Sequence, residues 1–165
     1  MQSPLYHILN LENTLMKNVF NQNDVKEFIG RINTLTPATQ AKWGKMSVGQ
    51  MLAHLCVSYE MMYENKHPKP NAALKLFLKL LVKKSVVNEV PYKHSLRTAP
   101  AFVITEQKDF ENEKKRLIAY INKTLDLGEK HFDNKESHSF GALTKTEWNN
   151  MLSKHLDHHL SQFGV

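Results

Sequence analysis

The chain has 165 residues, 41% of them apolar and 23% charged, which suits one domain spanning residues 1–165 with a core large enough to need no structural metal. Its one cysteine, Cys56, rules out an internal disulfide. The formal net charge of +6 comes from one segment, because residues 66–97 carry eight Lys and Arg against the single acid Glu89, and with no nucleic-acid motif beside it this charge predicts no nucleic-acid partner.

In chain order, the modest apolar start from Leu5 to Leu11 has no Lys or Arg before it, as a signal peptide requires, so a cytoplasmic protein is expected. The first helix opens at about Asn23, a candidate N-cap, and carries Val25, Phe28, Ile29, Ile32 and Leu35 on one face until Pro37 stops it. The second opens at Ser47, with Gln50 completing a capping box, and runs to about Asn65 before His67-Pro68-Lys69-Pro70 breaks it. Ala72 to Lys84 reads as a shorter helix, greasy except for a narrow stripe of Lys75, Lys79 and Lys83. It is too short and too interrupted to span a membrane. Residues 85–104, with prolines at 91 and 100, read as a long outer connection. A third long helix is predicted from Thr105 to Leu127, with Phe110, Leu117, Ile118, Ile121 and Leu125 inward and Gly128 at its end. After a polar loop to Leu143, the last helix starts at Thr144, with Glu147 forming a second capping box, and ends near Gly164. Four long amphipathic helices without a run of strands predict an all-α, antiparallel four-helix bundle with one extra crossover helix.

The last helix carries the chemistry. At 100° per residue its apolar arc holds Met151, His155, Trp148, His159, Leu152, Phe163, Leu156 and Leu160, so two imidazoles one turn apart face inward. His158 sits on the border of that arc, and Asp157 points away from it. On the second helix, His54 lies among Met51, Val57, Ser58 and Met61 and also faces inward. A lone inward histidine is usually a hydrogen-bonded core residue, but two stacked in an apolar stripe each lose hydration and would repel if charged, penalties that a shared cation relieves. If the two helices are neighbours, His54, His155 and His159 form a three-histidine site with open positions, suited to Zn2+ or Ni2+. It is not a zinc-peptidase motif, since Leu156 stands where the glutamate base would be.

The segments Trp43-Gly44-Lys45-Met46-Ser47-Val48-Gly49-Gln50-Met51-Leu52-Ala53-His54-Leu55 and Lys154-His155-Leu156-Asp157-His158-His159-Leu160-Ser161-Gln162-Phe163-Gly164-Val165, with Phe140-Gly141-Ala142-Leu143-Thr144 and Glu147-Trp148 between them, resemble a bacterial branch of the DinB-like superfamily made of domains of unknown function. The resemblance extends from about Arg31 to Val165. It implies a four-helix bundle with a metal held by one histidine of the second helix and an H-x-x-x-H pair of the last, here His54, His155 and His159. Better-studied relatives are thiol transferases using bacillithiol, mycothiol or glutathione, and a thiol-dependent isomerase. The activity implied is therefore attack on a small-molecule electrophile by a low-molecular-weight thiol that the metal deprotonates; a hydrolase using water would need the same ligands. A non-catalytic metal-binding or protein-interaction module is the competing class.

Around the histidines, Gln50 and Ser58 stand one turn to either side of His54 and, with His158, are candidates to orient the ligands or line the pocket, although capping and polar filling are the plainer roles of the first two. Asp157 reads as a solvated or inter-subunit charge and Cys56 as a packing residue. Trp43, Trp148, Met51, Met61 and Met62 read mostly as core, with the border of a substrate cavity as the alternative for some of them. His7, His67, His94, His131 and His138 fall in predicted loops or ends and are given no chemistry. The greasy crossover helix is read as a lid on the pocket or a homodimer contact, with an anionic membrane surface as the remaining alternative; the width of its apolar arc predicts burial in protein.

Overall fold

The computed structural model describes residues 16–64 and 66–165; the expectations for Leu5–Leu11 and His7 fall outside them, as does the second helix's expected end at Asn65. Helix α1 (Gln22–Thr34) is capped by Asn21, whose Oδ1 accepts from the backbone of Asn23 and Asp24, two residues earlier than the predicted cap. Helix α2 (Val48–Tyr63) begins with the predicted Ser47–Gln50 capping box. In the crossover, α3 (Ala72–Phe77) passes into a π-turn at Leu78–Val82 and then α4 (Lys83–Val87), so the helical segment continues past its predicted end. A 3-10 turn at Pro100–Phe102 precedes α5 (Phe110–Phe132), which is capped by Asp109, later than the predicted start at Thr105. Gly128 (φ 70°) kinks α5 instead of ending it, because a glycine takes the left-handed region and the helix resumes beyond it.

The predicted polar loop contains a short hairpin, β1 (Lys135–Ser137) against β2 (Gly141–Leu143), antiparallel with Glu136 opposite Ala142. Helix α6 (Lys145–Gln162) follows, opened by the Thr144–Glu147 capping box. The fold is an all-α helical bundle with this one two-stranded sheet among the described residues. No helix among them is long and apolar enough to cross a membrane.

Helix α2 packs most extensively on α5; α1 packs on α5 and α6, and α6 closes the ring against α2. Between them lie Phe28, Ile32, Leu52, Leu55, Leu117, Leu160 and Trp148, none more than 1% exposed. Truncating such a side chain costs about 2–5 kcal/mol, lost burial plus the cavity left behind. Of the residues read as core, Met51 and Trp148 are buried, whereas Trp43, Met61 and Met62 are half-buried. Asp157 is solvated, as expected, and it also pairs with Arg31 of α1 at 2.7 Å, whose guanidinium reaches Ser161 Oγ and the carbonyl of Val165.

The crossover helix is held against the bundle partly through its lysines. Lys75 pairs with Glu136 (2.9 Å) and Lys83 with Glu147 (2.7 Å), so the lysine stripe is turned onto the hairpin and the start of α6. Leu78, Val82 and Val86 line the cavity, as a lid would, but Leu76, Phe77, Leu80 and Leu81 are exposed by 53–69% in the single chain, so the bundle itself does not bury them. At its far end α4 is fastened to α6. Lys154 Nζ, buried and beside the Tyr92 ring, donates to the carbonyls of Ser85 (2.9 Å) and Asn88 (2.8 Å) and to Asn88 Oδ1 (2.8 Å), while Asn150 Nδ2 donates to the carbonyl of Val87 (3.0 Å). Desolvation without a carboxylate partner pushes the Lys154 ammonium down to about 8.

Both capping boxes are local, so their loss is separable from the core. Ser47→Ala and Thr144→Ala should each lower the unfolding free energy by about 1 kcal/mol, with additive effects in the double variant, as read from urea denaturation midpoints.

Candidate metal centre

Because α2 and α6 are neighbours, His54 meets His155 and His159. One ring nitrogen from each lies within 4.8 Å of the other two, a separation that four-coordinate Zn2+ with 2.0–2.1 Å bonds could close with small movements. The ring centroids are 4.4–4.9 Å apart in edge-on arrangements. His54 and His159 are buried, and His155 borders a cavity of about 900 Å3 beside them, within the range of small-molecule pockets.

Each imidazole is tied from behind. His54 Nδ1 donates to the carbonyl of Phe102 at 2.8 Å, and since a carbonyl only accepts, the neutral ring has a bare Nε2 facing the cluster. Gln162 Nε2 donates to the carbonyl of Trp43 (2.7 Å), which turns Oε1 toward His159 Nδ1 (2.8 Å) and leaves its Nε2 bare as well. His155 Nδ1 meets Ser58 Oγ at 3.0 Å, and its Nε2 stands 2.9 Å from His54 Nε2. With no proton on His54 Nε2, His155 Nε2 must supply the one between them, so Ser58 donates to His155 Nδ1. A hydroxyl can reverse that role. Binding of a cation at the Nε2 atoms would drive that proton off or across to Nδ1, where Ser58 can accept it.

Burial makes all three imidazoles weak bases. Desolvation pushes His54 below its ordinary value and His155 well below it, and brings His159 down to about 3, each lowered further by a neighbouring histidine. Around the cluster stand neutral lone pairs and, among the lining residues, no carboxylate. Nitrogen donors without oxygen or sulfur suit a borderline divalent ion.

Gln50, Ser58 and His158 all border the cavity. Gln50 fills its capping role and also donates to the carbonyls of Thr105 (3.4 Å) and Glu106 (3.3 Å). Ser58 touches a ligand candidate directly. Half-buried His158 is edge-on to His159 (5.0 Å) and is likewise held below its ordinary value by desolvation and His94. Cys56 points away, fully buried with its thiol near the carbonyl of Glu113, and burial pushes it up to about 12.

Sequence reasoning missed Phe102 and Gln162 as the partners of two rings. A signal for Gln162 existed, since it lies three residues after His159 on the same face. Gly44 makes room for it: a Cβ there, at φ +84°, would stand 2.5 Å from Gln162 Nε2. His138 also borders the cavity, His94 stacks on its wall residue Trp43 at 3.8 Å, and His131 lies within α5 and not in a loop.

An all-α bundle with three imidazoles converging beside a cavity defines a helical protein with a site that could bind a metal ion. A family model matches residues 15–164, and the chain belongs to that family, described as protein of unknown function, DUF1569. No curated protein and no solved structure matches the chain significantly.

The depressed histidines set a pH dependence. A group whose folded pKa lies below its unfolded value of about 6.5 contributes stability that is present above that value and is lost as pH falls toward the folded value. The metal-free protein should therefore lose roughly 1.4 kcal/mol per pH unit below about 6.5 for each imidazole that stays neutral in the fold. Denaturant midpoints between pH 7 and 5, above most carboxylate titration, check this; a flat profile would contradict it.

Proposed function

We propose that the chain is a metal-dependent enzyme of the DinB-like superfamily, holding a divalent ion, Zn2+ or Ni2+, on His54, His155 and His159, and acting as a thiol-dependent transferase or a hydrolase on a small-molecule substrate. The observation that carries this reading is the orientation of the ligand set. Three imidazoles have their Nδ1 atoms engaged by Phe102, Ser58 and Gln162, one ring nitrogen of each within 4.8 Å of the other two, and a cavity alongside. Protein atoms that closed the coordination would suit a structural site, whereas an adjoining chamber favours catalysis over a non-catalytic metal-binding module.

An ion held there would act as a Lewis acid, lowering the pKa of a thiol or water into the neutral range. The chain's own residues do the rest. The carbonyl of Phe102 and the amide of Gln162 hold two rings in the tautomer that presents Nε2, and Ser58 adjusts to the third. His158, neutral near pH 7 and on the cavity wall, is placed to take up a proton released in the chamber. Met46, Met61 and Phe102 give that chamber apolar walls that restrict bulk water.

The test is elemental analysis followed by a panel of low-molecular-weight thiols with an electrophilic aromatic acceptor. The native protein should carry one divalent ion per chain, and His155→Ala or His159→Ala should abolish that uptake and any turnover while the far-ultraviolet helical signal is kept. Full metal content in either variant would overturn the assignment. Gln162→Leu, which leaves the ligands in place but frees the His159 ring, should weaken metal affinity about 10- to 100-fold in a competition titration.

A further inference from the structure

Sixteen residues of the chain are acidic, yet none borders the cavity next to the three imidazoles. Its rim carries three exposed cations instead: Lys45, Lys93 and Arg97. They come from two loops, one before α2 and one after α4, which the Trp43–His94 stack holds together at 3.8 Å. Among the described residues none of the three has a carboxylate within ion-pair distance, while Lys66, Lys75 and Lys83 of the same basic segment each have one. The walls below the rim are apolar, built by Met61, Leu78, Val82 and Phe102 among others. Cations at the mouth of a low-dielectric cleft focus their field into it and raise the local concentration of anions.

We infer that the cavity takes an organic anion with an apolar body, its carboxylate, phosphate or sulfonate meeting Lys45, Lys93 and Arg97 at the rim while the body lies along the apolar walls toward the histidine cluster. This names the substrate class for the proposed site and rests on that reading for its catalytic meaning, but the binding itself requires no metal. A neutral ligand of the same shape would fill the walls and leave the three cations without a partner. A small, fully hydrated anion would meet the cations and leave the walls empty.

The test uses a matched pair of probes, 8-anilinonaphthalene-1-sulfonate and its uncharged counterpart N-phenyl-1-naphthylamine, with the metal-free full chain. Energy transfer from tryptophan reports on the cavity locally, because Trp43 and Trp148 are the chain's two tryptophans and both border it. The sulfonate probe should bind at one site at least about 10-fold more tightly than the neutral probe, and the preference should shrink as salt is raised. Lys93→Gln with Arg97→Gln should remove the preference and leave the neutral probe's affinity unchanged. Leu80→Ser with Leu81→Ser, which strips the exposed face of the crossover helix, should leave the preference intact. Equal affinities in the native protein, a preference that survives the double charge removal, or one lost with the leucines would each overturn the inference. Loss of the proposed metal site is read separately: a chain that takes up no metal yet prefers the sulfonate probe refutes the enzyme reading alone, and a metal-loaded chain without that preference refutes this inference alone.

Discussion

The chemistry available to this protein depends on the contact between α2 and α6. That contact removes three imidazoles from water and points their lone pairs at one another, an arrangement unfavourable unless a proton or a cation sits between them. The metal-free protein has one proton to share along the 2.9 Å approach of His54 to His155. His159 has its glutamine tether, and desolvation brings it down to about 3. A cation would satisfy all three lone pairs at once.

The fold was legible where its determinants are local. Ser47 with Gln50 and Thr144 with Glu147 announce two helix starts because a capping box is closed within four residues. The inward direction of His54, His155 and His159 follows from helical periodicity alone. What eluded sequence reasoning depends on where distant segments run. No periodicity shows that the carbonyl of Phe102, in an irregular crossover, lies behind His54, or that Arg31 of α1 reaches Asp157. The three-residue strands β1 and β2 are too short to show an alternating pattern. Lys154 is buried because α4 covers the flank of α6 that a helical wheel leaves polar.

The crossover segment shows how tertiary contacts can override an amphipathic pattern. A helix with a narrow lysine stripe and a broad apolar arc would ordinarily bury the arc. Here Lys75 and Lys83 pair with Glu136 and Glu147 on the neighbouring hairpin and α6, Leu78, Val82 and Val86 line the cavity, and the remaining leucines stay outside. The π-turn at Leu78–Val82 accompanies that arrangement, with Lys83 donating back to Leu78, and shifts the register of the residues that follow.

The buried ammonium of Lys154 has a mechanical corollary. It is adjacent in sequence to His155, so the rod that carries two imidazoles into the chamber also suspends the chamber's cover from its other flank. Any slide or roll of that rod displaces ligands and cover together, leaving no slack between them at this end. The opposite end of the cover hangs on the solvent-exposed Lys75–Glu136 pair, the kind of contact worth at most about 1 kcal/mol. The cover is thus anchored through a buried ammonium at one end and through a surface ion pair at the other.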